Sequence, residues 1–239
     1  MISIDEYRKD PCRPSSLPYW KLNAVVIPDN MTIIHHRDFI AEKHRNCINT
    51  PYFRLIHHLQ DLPMPKLPKG YSVCSIEPGK YAKHINSCYC DIGISEEELV
   101  RYTARNVYDP ALWIAVKEND TGAIVATGIG ELDAECEEGI LEWFQVSEGS
   151  RRLGLGSYVV NELLRRMAGK AVFATVSGKC DDPTRPEQLY RKCGFTGDDV
   201  WHILMRKSPR GPIHEKVTFF QIDSTTDTSY NMDKTCRNQ

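Results

Sequence analysis

A chain of 239 residues with 41% hydrophobic content is long enough to bury a sizeable core, as one large domain or one domain plus an appendage. A net charge of −2 and a pI near 6.4 lack the basic balance of a protein that tracks nucleic acid or an anionic membrane, so neither is expected as a partner. No apolar run approaches the ~20 residues of a membrane span, and the opening "MISIDEYRKDPCRPSS" has no apolar secretory core; the expectation is a cytoplasmic protein.

In chain order, "YWKLNAVVIPDNMTIIHHRDF" places two apolar runs around Pro28-Asp29-Asn30 and reads as a hairpin. "LQDLPMPKLPKGY" then sets Pro63, Pro65 and Pro68 within six residues. Proline fixes φ and removes donors, so this stretch reads as a linker with a domain boundary near Lys69-Gly70. "YSVCSI" is a short strand, and "PGKYAKHINSCY" and "SEEELVRYTARNV" are helices, the second opened by a capping box of Ser95 and Glu98. "LWIAV" and "AIVATGIGEL" are strands joined by the turn "KENDTG", and "GILEWFQV" is a further strand. A helix follows in which Leu155, Val159, Leu163 and Met167 form an i, i+4 stripe backed by Val160 and Leu164. "AVFATV" is a strand, "PEQLYRKC" a short helix and "WHILMRK" the last strand. Residues 208–239 are a polar tail whose composition predicts disorder. Strands in both hairpin and crossover contexts predict a mixed α/β (α+β) sheet. The expected organisation is an N-terminal, hairpin-containing appendage (1–69), a principal domain (70–207) and the tail (208–239).

The nine cysteines are scattered and form no C-x-x-C pair, which fits reduced thiols rather than a disulfide framework. Cys88-Tyr-Cys90 near His84 is half of a metal site with nothing at zinc-like spacing to complete it, so no metal is expected. His35-His36 and His57-His58 read as surface or packing histidines.

The stretch "SRRLGLGSYVVNELLRRM", 150–167, is the main chemical signal. A dinucleotide fingerprint would need a third glycine where Val159 stands and an acid at the end of the next strand, and "AVFATV" ends without one. A Walker loop would need Gly-Lys-Ser/Thr, which is absent. What remains is an anion cradle or a plain helix start. Unpaired N–H groups at a helix N-terminus carry about half a positive charge, and glycine lets a phosphate approach the backbone closely.

Arg151-x-x-Gly154-x-Gly156 after a strand and before an amphipathic helix resembles the [RQ]-x-x-G-x-[GA] signature of the GNAT superfamily of acetyl-CoA-dependent N-acyltransferases. "QLYRKCGF" resembles the same family's L-Y-x-x-x-G-F element one strand later. The resemblance spans about 70–207 and implies a mostly antiparallel central sheet flanked by helices, with acetyl-CoA as acyl donor. It implies that Arg151, Arg152, Leu153, Gly154, Leu155, Gly156 and Ser157 grip the pyrophosphate. The backbone N–H near Phe144 would polarise the acetyl carbonyl, and the backbone of Gln145, Val146 and Ser147 would pair with the pantetheine arm. Tyr190 matches the family's tyrosine and would serve as acid for the departing thiolate; the alternative is an aromatic packed beside Phe195. Glu142 stands where relatives carry a carboxylate base. Alternation puts it with Ile140, Phe144 and Val146, on a largely apolar face that would raise its pKa; the alternative is a solvated strand end. Relatives show asparagine where Arg185 stands, leaving Arg185 as a candidate phosphate contact.

The expected function is transfer of an acetyl group from acetyl-CoA to a primary amine by direct attack, the alternative being a non-catalytic acyl-CoA-binding module. The acceptor is not written in the sequence. "ELDAECEEG", 131–139, either rims the acceptor site or is a solvated acidic loop. Residues 1–69 are candidates for covering the sheet, forming part of the acceptor site or pairing two copies as a homodimer.

Overall fold

The computed structural model describes residues 2–22, 24–89 and 93–207. The polar tail expected over 208–239 and Cys90 of the Cys88-x-Cys90 pair lie outside the described residues.

Eight strands form one sheet: β1 (Met31–His35), β2 (Cys47–His57), β3 (Tyr71–Cys74), β4 (Trp113–Glu118), β5 (Ile124–Asp133), β6 (Glu138–Val146), β7 (Phe173–Lys179) and β8 (Thr196–Arg206). Their order is β1-β8-β2-β7-β6-β5-β4-β3. Every pairing is antiparallel except β6 with β7. The helices are α1 (Ile4–Lys9), α2 (Pro78–Cys88), α3 (Glu96–Tyr102), α4 (Leu155–Met167) and α5 (Pro186–Lys192). The mixed, mostly antiparallel sheet flanked by helices is the expected class.

Local chemistry sets these elements. α1 and α3 both open with full capping boxes, Ser3 with Glu6 and Ser95 with Glu98, which satisfy otherwise unpaired N–H groups. Alternation along β4 builds two cores: Ile114 and Val116 pack with α4, while Ala115 packs with α2 and α3. The α4 stripe of Leu155, Val159, Val160, Leu163, Leu164 and Met167 is wholly buried, each side chain contributing about 1.5–3 kcal/mol of burial. Glycine lets α4 approach closely: a Cβ at Gly128 would stand 2.6 Å from Val159 Cγ1, and one at Gly139 2.6 Å from Met167 Sδ.

Two features of 1–69 differ from the sequence reading. The hairpin at Pro28-Asp29-Asn30 does not form; the chain turns there, but β1 pairs with β8, and the apolar run before it contributes no strand to the sheet. Nor are residues 1–69 an appendage. β2 runs between β7 and β8, pairing with both, so the boundary expected near Lys69-Gly70 falls inside one sheet. The proline-rich stretch has no regular element, yet Leu59, Leu62 and Leu67 pack on the α4 core. Leu59 and Leu62 before the prolines and Leu67 between two of them anchor it as a strap.

α1 lies on the α2/α3 face. Tyr7 packs on Phe173, and its hydroxyl donates to Glu138 at 3.0 Å. Arg54, fully buried on β2, donates to the Tyr7 hydroxyl oxygen at 2.6 Å and to Pro11 C=O at 3.1 Å. A 3-10 turn at Tyr19–Lys21 continues this layer over β6.

Candidate active site

β6 and β7 pair only from Glu138↔Phe173 to Leu141↔Val176. Beyond Leu141 they part, leaving 142–146 paired with β5 alone. The gap opens a cleft of about 1970 Å³, lined by Glu142, Trp143, Phe144, Gln145 and Val146 on one side and Ser177, Gly178, Leu189 and Tyr190 on the other. Small-molecule pockets typically measure roughly 300–1,000 Å³, so this cleft has room for an extended ligand.

A β-bulge lies at the parting. β5 residues Ile129 and Gly130 face Trp143 and Leu141, so Glu142 is the extra residue. The bulge overturns the expected alternation. Leu141, Phe144 and Val146 pack toward α4, Trp143 packs toward α2 and α3, and Glu142 turns to the α3 side, where its carboxylate meets Lys21.

The bulge also decides which backbone groups face the gap. Ser147 N–H donates to Val125 C=O at 2.9 Å. By the two-residue period of an antiparallel pair, Gln145 also turns its backbone toward β5, while Phe144 and Val146 turn theirs to the gap. Phe144 C=O accepts from the Tyr89 hydroxyl at 2.9 Å, and Val146 C=O from Arg151 Nε at 3.1 Å. The edge presented to the gap is therefore the N–H groups of Phe144 and Val146; of the expected run 145–147, Gln145 and Ser147 turn toward β5 instead. Ser147 instead uses its hydroxyl on His84 Nε2, 3.0 Å away.

At one end of the cleft, Arg152 (φ 63) and Gly154 (φ 87) adopt left-handed backbone and curl the loop into α4. Gly154 is the N-cap and supplies no side-chain acceptor. The first helical bond is Tyr158 N–H to Gly154 C=O at 3.0 Å, so the N–H groups of Leu155, Gly156 and Ser157 form an uncapped first turn. Arg151, Arg152, Gly154, Gly156 and Ser157 line the cleft. The Leu155 side chain is buried in the core and that of Leu153 is half-exposed, so each brings only backbone to the loop. Such a turn suits a phosphate anion. Arg185 stands apart from this loop: it is the N-cap residue of α5 with φ 51, is exposed, and is absent from a lining that includes its neighbours Thr184 and Pro186.

Tyr190 is buried among Phe53, Phe144 and Phe195, with ring centroids 5.8–6.1 Å away, and still lines the cleft. Burial pushes its phenol well above the usual value, so it holds its proton at neutral pH. Packing beside Phe195 and a place in the cleft are both realised.

At the other end stands a charged cluster that spacing does not reveal. Lys21 Nζ lies 2.6 Å from both oxygens of Glu142 and 4.0 Å from Glu131. Glu131 accepts from Arg105 at 2.6 Å and from Trp20 Nε1 at 3.1 Å, and the Arg105 guanidinium stacks 3.2 Å over Tyr102. Burial alone would raise the Glu142 carboxyl, but the Lys21 ammonium outweighs it and holds Glu142 below its usual value. The raised carboxyl is Glu131, lifted to about 7 by burial and the Glu142 charge. The expectation of a raised Glu142 thus fails for want of Lys21, which is distant in sequence. The acidic run 131–139 divides: Glu131 enters the cluster, Glu138 is buried against Arg54, Glu137 is half-buried and pairs with Arg8 at 2.7 Å, and Glu135 is exposed.

Among the described residues, two side-chain groups have metal-like proximity, His35/His36/Asp199 and Asp133/Cys136/Glu138. In the first, His35 Nε2 pairs with Asp199 at 2.8 Å and His36 Nδ1 accepts Val200 N–H at 3.1 Å, so both rings already have partners. Near Cys88, both nitrogens of His84 are engaged by Thr127 and Ser147.

The acetyltransferase (GNAT) family model matches residues 80–195, from α2 through the "CGF" that follows α5. Residues 80–195 therefore carry the sequence pattern of a GNAT acetyltransferase domain. The fold of the chain is similar to a GCN5-related N-acetyltransferase from Sphaerobacter thermophilus (21% identity, 80% of this chain and 64% of that one, TM-score 0.60). It is also similar to a Drosophila protein (18%, 66% and 52%, 0.53) and to a GNAT-family acetyltransferase from Colwellia psychrerythraea (15%, 74% and 65%, 0.53). The chain thus spans about half to two thirds of the length of these structures. No curated protein matches it by sequence. In the GNAT domain the glycine loop, the parted strands and Tyr190 fall inside the matched segment, whereas Lys21, β1 and β2 lie outside it. Among the described residues no helix is long and apolar enough to cross a membrane.

Proposed function

We propose that this chain transfers an acetyl group from acetyl-CoA to a primary amine by direct attack, without an acyl-enzyme. The observation carrying this reading is that one cleft joins an uncapped helix start, an open β6 edge and a carboxylate cluster. The first turn of α4, with Arg151 and Arg152, holds the pyrophosphate. The N–H groups of Phe144 and Val146 hold the pantetheine arm and the thioester carbonyl. The amine sheds its proton to the Glu142/Glu131 pair, and Tyr190 protonates the leaving thiolate. The described cysteines are all free, which fits a reducing, cytoplasmic setting.

A second reading, a non-catalytic acyl-CoA-binding module, is favoured by one observation: Lys21 already occupies the Glu142 carboxylate. Thermal shift with acetyl-CoA, NAD and ATP tests the ligand, and acetyl-CoA alone is expected to stabilise. CoA release across a panel of amines then separates the readings. Binding without release on any amine leaves the module, and the absence of stabilisation by acetyl-CoA removes both.

A further inference from the structure

The acceptor end of the cleft already contains a primary amine. Lys21 reaches it from the 3-10 turn at Tyr19–Lys21, with its side chain only 9% exposed and directed into the cleft lining. Its Nζ lies 2.6 Å from each Glu142 oxygen and 4.0 Å from Glu131, with the Trp20 ring 5.3 Å away. Glu142 is the bulge residue where β6 leaves β7, two positions before the Phe144 N–H that faces the gap. An alkylammonium held by paired carboxylates at the mouth of the parted strands has the surroundings an acceptor needs. Exposed lysines such as Lys9 and Lys43 stand outside this lining.

We propose that Lys21 is an acetyl acceptor of its own chain, so that the 16–21 segment sits in the cleft as an intramolecular substrate and becomes acetylated on the Lys21 amine. This rests on the transfer reading above. The Lys21 ammonium gives one proton to the facing Glu142/Glu131 pair. The freed nitrogen lone pair forms the new C–N bond at the thioester carbonyl, and the C–S bond breaks. The thiolate takes a proton from Tyr190, and the second nitrogen proton restores the phenol or leaves to solvent. The products are N-acetyl-Lys21, CoA and one net proton, with no redox change. The neutral amide no longer neutralises Glu142, which lines the cleft, while Glu131 keeps its Arg105 partner at 2.6 Å; Glu142 is left as a carboxylate suited to receive an external ammonium.

The test is to incubate the full chain with acetyl-CoA, follow intact mass, map the label by peptide mass spectrometry and record thermal shift in parallel. The expected result is stabilisation by acetyl-CoA and one acetyl group per chain, mapped to Lys21 ahead of Lys9 and Lys43. Its rate should stay constant across a dilution series of the protein, as a reaction within one chain requires. Lys21→Arg, which keeps the charge, should bind acetyl-CoA and take no label there. Stabilisation with Lys21 unlabelled, labelling of exposed lysines only, or a rate that scales with protein concentration would overturn the proposal and leave the transfer reading standing. Absence of stabilisation would overturn the transfer reading and this proposal with it. The wild-type labelling decides the matter even where the variant folds poorly.

Discussion

Arg54 on β2 and Tyr7 on α1 are joined by a 2.6 Å hydrogen bond from Arg54 Nη2 to the Tyr7 hydroxyl, with neither residue exposed by more than 1%. Glu138 completes the group, accepting from Tyr7 at 3.0 Å and lying 3.4 Å from Arg54. Removing one member of a buried pair strands the other. Arg54→Met should therefore cost about 3–5 kcal/mol, and Tyr7→Phe about 1–3 kcal/mol, both read from urea unfolding. An unchanged midpoint for Arg54→Met would mean that the N-terminal layer is not held through this group.

Close contact between α4 and the sheet gives a second prediction. A Cβ at Gly128 meets Val159 Cγ1 at 2.6 Å and Leu163 Cδ1 at 3.0 Å. Gly128→Ala should destabilise by about 1–3 kcal/mol through overpacking. Val159→Ala in the same chain should recover part of that loss, giving a coupling energy in a double-mutant cycle. Simple additivity would show that α4 shifts aside instead.

At the mouth of the cleft, Gly154 has φ 87. Gly154→Ala forces a side chain into left-handed backbone at about 1–2 kcal/mol and tilts the first-turn N–H groups of α4. Acetyl-CoA affinity should fall, by isothermal calorimetry, more than it does for Gly122→Ala, a surface turn with similar φ (71). Equal effects would separate the glycine from the ligand.

Tyr190 allows binding and chemistry to be read separately. Tyr190→Phe keeps the ring among Phe53, Phe144 and Phe195 and removes only the hydroxyl. Turnover should drop by about 10²–10⁴ while acetyl-CoA affinity stays the same. Undiminished CoA release by this variant would assign the acid role elsewhere.

The Glu131/Glu142 pair sets a pH dependence. Burial, with the Glu142 charge adding, lifts Glu131 from 4.5 to about 7. Over that window the folded chain retains a proton that the unfolded chain has released, so the Glu131 contribution to stability weakens as pH rises and is level above about 7. Glu142, held low by Lys21 against burial, works the other way: its contribution is present above 4.5 and is lost as pH falls. Glu131→Gln removes the first effect. Its stability relative to wild type should therefore grow as pH increases through the window, followed by denaturant titration at stepped pH. A gap that narrows with pH would contradict the raised carboxyl.

The sequence made the second half of the fold legible because its signals are local. The α4 stripe, the Ser95/Glu98 box and the Gly154/Gly156 loop each lie within one element, and the loop and Tyr190 do line one cleft. What escaped depends on distant partners. β2 reads poorly because Pro51 and Arg54 interrupt its apolar run. Yet Pro51 C=O accepts from Cys180 N–H, so its missing N–H falls where the β7 ladder has ended, and Arg54 is neutralised by Glu138 from another strand. Glu142 was misplaced by strict alternation, which one bulge residue breaks. Lys21 carries no periodicity or motif, and only the folded chain brings it to Glu142.

The position of β2 has a consequence for how the molecule is made. Its two ladders join Phe53 to Gly178 and to Val200, so β2 finds neither neighbour until the chain has been made as far as β7 and then β8. Such long-range closure slows folding and leaves an apolar strand edge open to other nascent chains in the interval. Ribosome-bound chains released before β8 emerges should therefore need a holding chaperone, whereas the full-length chain should outgrow that need once β8 closes over β2.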